Sequence, residues 1–131
     1  MNNRIEEILL SCTPEHWEMI KNGTITIEIQ RRKPERISFP FRVIVYIVGG
    51  IGVVGKFDCF QMRQTIRPAI FESGSNMTES ELMRYVRKKA VCGWYIKPGS
   101  VVEYESPIPL EEATGLKLPP SSWRYLSREN T

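Results

Sequence analysis

Histidine is almost missing from this 131-residue chain, which has one, His16, and cysteine is sparse, with three. Cys12, Cys59 and Cys92 are far apart and form no Cys-x-x-Cys pair. A structural zinc site normally draws its four ligands from Cys and His, so no metal is expected, and no other cofactor is implied. Apolar neighbours flank all three cysteines, which read as small buried hydrophobes in a reducing compartment. A Ser-His-Asp or Cys-His catalytic set is not credible with a lone His16 beside Trp17, and that histidine reads as structural. Long hydrophobic runs are missing too. The uncharged stretch from Val43 to Gly55 contains Gly49, Gly50 and Gly52 and falls short of the ~20 residues that a membrane helix needs. The first residues, Met1 to Glu7, carry charge where a signal peptide would be apolar, so a cytoplasmic protein with no membrane association is expected. There is little excess of either charge: 18 Lys and Arg stand against 15 Asp and Glu, for a net +3. So small an excess does not announce a nucleic-acid binder, and only an uneven distribution would.

What is present is the material of one globular domain over residues 1–131, since 41% hydrophobic and 25% charged residues exclude a disordered chain. Ile8, Leu9 and Leu10 form an apolar run ending at Cys12, expected to be a buried strand. Thr13-Pro14 opens a helix: Thr13 can cap it, Pro14 suits the first helical position, and Gly23 stands where a left-handed C-terminal residue belongs. Trp17 and Ile20 should anchor that helix. Thr24 to Gln30 alternates strictly, placing Ile25, Ile27 and Ile29 on one face and Thr24, Thr26, Glu28 and Gln30 on the other. Phe41 to Val48 and Ile51 to Phe60 read as a hairpin around Gly49-Gly50. Glu72 to Met77 reads as a loop. Thr78-Glu79-Ser80-Glu81 is a capping box opening a helix to about Ala90. Strands follow at Gly93 to Lys97 and Val101 to Ser106, and the tail should be mostly irregular, pinned by Trp123 and Tyr125. The order implies an α+β fold: a small, partly open, mostly antiparallel β-barrel with two main helices.

The stretch from Thr13 to Gln30 resembles the signature region of the ASCH domain, a branch of the PUA-like superfamily whose pattern is Gly-x-Lys-x-x-Glu-x-Arg. The matching positions are Gly23, Ile25, Glu28 and Gln30, so the glycine and glutamate are kept while the lysine and arginine are not. The hairpin ending in Val-Gly-Lys-Phe, and the segments Tyr104 to Leu110 and Pro119 to Leu126, are similar to those of small ASCH proteins often met in phages and mobile elements. The resemblance implies a PUA-like barrel with a cleft around Glu28 that takes RNA or a modified nucleotide. Some ASCH proteins are amidohydrolases of acylated cytidines or ribonucleases. The motif lysine is Ile25 here, which can transfer no proton and argues against the amidohydrolase. Thr26, Glu28 and Lys21 are the weak catalytic candidates that remain.

The residues themselves suit a polar, planar ligand, since a carboxylate, a carboxamide and two hydroxyls share the face of Thr24, Thr26, Glu28 and Gln30. A strand that merely turns its polar face to water accounts for the same pattern. Trp94 and Tyr95 are candidates for stacking on a base. Basic residues are clustered. Arg31, Arg32, Lys33 and Arg36 follow Gln30 directly, and Arg87 and Lys88 lie in the second helix, where the dipole also favours cations. The expected function is binding of RNA or a modified nucleotide in a polar cleft with a basic rim. The alternatives are a hydrolase with rearranged groups and a mobile-element accessory protein that binds another protein.

Overall fold

A computed structural model describes residues 5–86 and 90–126. Strand β1 (Ile5–Cys12) leads through the cap of Thr13, whose hydroxyl accepts from the His16 N–H, into helix α1 (Pro14–Lys21). Gly23, at φ +85°, ends the turn after it, a conformation that needs a residue without Cβ. Strand β2 (Ile27–Gln30) is short, and β3 (Ile37–Ile47) and β4 (Gly52–Thr65) form the long hairpin, with Gly49 and Gly50 at φ +90° and +82° in its turn. A single 3₁₀ turn (Pro68–Phe71) and helices α2 (Glu72–Ser75) and α3 (Glu79–Met83) come next, followed by β5 (Val91–Ile96), β6 (Val102–Ile108), α4 (Leu110–Thr114) and β7 (Trp123–Leu126).

The strands run in the order β2-β5-β4-β3-β1-β7, with β6 paired to β4 beside that path. All pairs are antiparallel except β1 with β3. Strand β4 carries the curl. Its first part, Val53 to Lys56, pairs with β6, and its far part, Cys59 to Thr65, pairs with β5. The result is a curled, partly open barrel of α+β class. Its two ends, β2 and β7, are left unpaired with each other, and the gap between them is where the site lies.

The expected strands either side of Pro98-Gly99 are present as β5 and β6, and both pair with β4. Several expectations change. Glu72 to Ser75 is a helical turn rather than a loop. The capping box is present, Thr78 Oγ1 accepting from the Glu81 N–H and Glu81 Oε1 from the Thr78 N–H, but α3 ends at Met83. Among the described residues there are four short α-helices, where two main ones were expected. The tail contains α4 and the strand β7, which joins β1.

The main core gathers Ile8, Leu10, Trp17, Ile20, Phe41, Val43, Phe57, Trp94 and Trp123. A second cluster, Ile27, Ile29, Phe71, Leu82 and Val91, seats the helical insert on β2. Ile25 lies in the main core, apart from Ile27 and Ile29, so the three isoleucines do not share one surface. The cause is backbone pairing. The Ile25 N–H donates to Met19 O and the Thr26 N–H to Gly74 O, so the regular strand starts only at Ile27. Gly74 allows this approach, since a Cβ there would lie 2.7 Å from Ile27 Cδ1 and 2.8 Å from Thr26 Oγ1.

Candidate functional site

One turn of helix and one short strand place the central groups. Trp17 points into the core, and His16, one residue earlier and about 100° round the helix, hangs from the first turn of α1 toward β2. Along β2, Ile27 and Ile29 face the helical insert, which turns Glu28 and Gln30 the other way. His16 Nε2 lies 2.6 Å from Glu28 Oε1, and the Gln30 carboxamide nitrogen donates to Glu28 Oε2 at 2.8 Å. Glu28 is only 4% exposed, and a carboxylate so buried needs such partners.

These residues line a cleft of about 420 Å³, together with Ser11, Ser75, Tyr85, Arg31, Arg32 and the Ser121-Ser122 pair that precedes β7. The volume lies within the ~300–1,000 Å³ common for small-molecule sites. Ser75 is buried, and its hydroxyl has no partner among the described residues. At the rim, the Arg31 guanidinium lies 4.8 Å from the Tyr85 ring centre and that of Arg32 3.7 Å from the Trp123 ring centre. Neither arginine has a carboxylate partner among the described residues. Burial pushes the His16 pKa down, but the hydrogen bond and charge of Glu28 outweigh it and leave the value raised. Burial, then Glu28, pushes the neighbouring Cys12 thiol well above its ordinary range. Among the described residues no cluster of His, Cys, Asp or Glu could hold a metal ion.

The sequence-predicted site residues separate. Glu28, Gln30, Arg31 and Arg32 meet in the cleft. Thr24 and Thr26 are exposed outside it, since the strand that would have aligned them begins at Ile27. Trp94 is fully buried between Phe41 and Trp123, so it cannot stack on a base without leaving the core. Tyr95 packs edge-on against Phe60 and Phe71, away from the cleft. Lys33 is exposed, Arg36 lies 4.7 Å from the Tyr125 ring centre, and neither lines the cleft. Lys21 faces a different groove, its ammonium 2.9 Å from Glu18 and 2.7 Å from Glu103. Arg87 and Lys88 lie outside the described residues. His16, read from sequence as structural, bonds Glu28 and also lines the cleft, and Ser75 was not singled out at all. The one sequence signal for His16 was its place beside the core-facing Trp17, at the start of a capped helix.

No family model matches the chain, and no curated protein matches it. Solved structures do. The protein aligns with ASCH from Zymomonas mobilis at a TM-score of 0.75 and 20% identity, over 95% of this chain and 90% of that one. The chain has the ASCH fold. A serine-to-alanine variant of the same Zymomonas protein aligns at 0.76 and 20% identity over 98% of this chain and 92% of that one, and a tyrosine-to-phenylalanine variant at 0.75 and 20% identity, over 95% and 91%. The ASCH likeness therefore spans the curled sheet from β1 to β7. At the motif position of the missing lysine, Ile25 is packed in the core. Among the described residues no lysine lines the cleft.

Proposed function

We propose that the protein binds RNA or a modified nucleotide in the cytoplasm, one nucleotide unit entering the cleft between β2 and β7. The observation that carries this is the pairing of a buried polar floor with a cationic mouth. Glu28, held between His16 and Gln30, forms the floor, and Arg31 and Arg32 stand at the rim with no described carboxylate to neutralise them. Arg31, laid on the Tyr85 face, keeps its N–H edges for phosphate, and Arg32, which gives one N–H to the Trp123 carbonyl, adds its charge at the rim, while a polar floor can read a base. The α1 groove is a poorer candidate for an anion, since Glu15, Glu18 and Glu103 line it beside Lys21. The catalytic candidates Thr26 and Lys21 stand apart from Glu28, and no observation favours a hydrolase over a binder.

The test is fluorescence anisotropy with a labelled, short single-stranded RNA of mixed sequence, repeated over a range of salt. Wild-type protein is expected to bind, with affinity falling as salt rises. Arg31→Ala should weaken binding and lower the salt slope by about 1, the signature of one lost phosphate contact. Absence of binding at low salt would overturn the reading.

A further inference from the structure

We propose that His16 and Gln30 are the groups that read the ligand in this cleft, that Glu28 is the positioning residue holding both, and that ligand binding is coupled to protonation of His16 at Nδ1. The inference rests on the nucleotide-binding reading and names how that site works.

The geometry assigns the roles. A carboxylate accepts and does not donate, so the hydrogen between His16 and Glu28 sits on Nε2, and the Gln30 amide is fixed with its nitrogen toward Glu28. Each oxygen of Glu28 is occupied by one partner. Its side chain is 6% exposed, against 33% for that of His16, so the imidazole and not the carboxylate presents itself to an incoming group. Two atoms are thereby left for a ligand: Nδ1 of His16 and the carbonyl oxygen of Gln30, neither bonded among the described residues. The buried, unpartnered Ser75 hydroxyl is a third group in the same cleft. This pattern asks for a ligand donor facing Gln30 and, when His16 is charged, a ligand acceptor facing Nδ1. A nucleobase edge offers both side by side.

Among the described residues, the titratable and charged groups around His16 are Glu28 from β2, Arg31 and Arg32 from the loop that follows, Cys12 at the end of β1, Glu15 on its own helix and Tyr85 from the helical insert. Glu28 is the one in direct contact; burial pushes the His16 pKa down, and the hydrogen bond and charge of Glu28 together outweigh it. A ligand that accepts from Nδ1 binds the imidazolium more tightly than the neutral ring, and so raises the His16 pKa further. Affinity is then greatest below the pKa of the free protein and falls as pH rises through the window up to the pKa of the complex.

The experiment follows RNA affinity by anisotropy, and the imidazole signals by NMR, from about pH 5.5 to about pH 8.5, either side of the ordinary histidine value of ~6.5. With one histidine in the chain, the titration is read directly. Expected results are a His16 midpoint that rises when RNA is added, and a Kd that weakens with pH, approaching about tenfold per unit where one proton is fully coupled. His16→Gln should flatten the profile, and Glu28→Gln should move its midpoint to lower pH without abolishing the step. RNA binding with a pH-independent Kd and an unmoved His16 midpoint would overturn this inference while leaving the nucleotide-binding reading intact. No RNA binding at any pH would overturn both.

Discussion

Arg32 and Trp123 grip each other from both ends. The guanidinium donates to the Trp123 carbonyl at 2.7 Å and lies 3.7 Å from the ring centre, while the indole N–H donates back to the Arg32 carbonyl at 3.1 Å. The basic loop after β2 is thereby tied to β7, across the opening of the barrel. Next to it the Tyr125 hydroxyl accepts from the backbone N–H groups of Glu35 and Arg36. The two arginines of the rim therefore serve different ends. Arg32→Ala should cost about 2 kcal/mol in urea denaturation, from a charge-assisted hydrogen bond and a cation–π contact. Arg31→Ala, which loses only an exposed contact with Tyr85, should stay within about 0.5 kcal/mol of wild type.

Removing Glu28 should destabilise the protein as well as the site. Glu28→Ala leaves Gln30 and His16 without their shared acceptor, and a loss of about 2 to 3 kcal/mol is expected, below the ~3–5 of a fully buried pair because His16 is partly exposed. The pH dependence has a definite sign. The folded His16 pKa is raised above its unfolded value, so this contribution is fully present below ~6.5 and is lost as pH rises through the folded value. Urea denaturation at several pH values should show that loss in wild type and not in His16→Gln.

Gly55 sits at a close crossing of β4, β6 and the Trp17 ring. A Cβ there would collide with the Val102 carbonyl oxygen and lie 2.8 Å from Trp17 Cζ2. Neither neighbour can yield cheaply, because one is backbone paired with β4 and the other is a core indole. Gly55→Ala is expected to cost about 1 to 3 kcal/mol or more, read as a lower urea midpoint.

The thiols should be silent in the native state. Cys12, Cys59 and Cys92 are free and buried, and burial foremost pushes Cys59 and Cys92 up to about 12. A thiol reagent is expected to label none of them in the folded protein and all three after denaturation. Rapid labelling of a native thiol would show that the core opens readily.

Lys21 offers a control on where the ligand binds. Its ammonium is engaged by Glu18 and Glu103 in the α1 groove, outside the cleft of Glu28. Lys21→Ala should leave RNA affinity unchanged in the anisotropy assay. A strong loss would move the site to that groove.

Features written in neighbouring residues were legible in the sequence. Thr13-Pro14, Gly49-Gly50 and the capping box at Thr78 each act over a single turn, and each is found where expected. The resemblance around Gly23 and Glu28 likewise pointed to the fold. Long-range pairing was not legible. The alternation from Thr24 to Gln30 reads as one strand, but the N–H groups of Ile25 and Thr26 are bonded to α1 and α2, which removes the two threonines from the cleft. The contact of His16 with Glu28 spans a helix and a loop, so no local pattern encodes it. Strand β7 was hidden by the prolines before it, and Trp94 looked available only because sequence does not show the Phe41 and Trp123 rings that enclose it.

The central claim is that a nucleotide unit occupies the cleft between β2 and β7. Chemical-shift mapping on isotope-labelled protein, titrated with the same short RNA, tests it most directly. The account expects the largest changes at Ser11, His16, Gln30, Arg31, Ser75 and Ser122, with the Lys21 groove unmoved. Changes centred on Lys21 and Glu103, or spread evenly over the basic surface with none at His16 and Gln30, would contradict it.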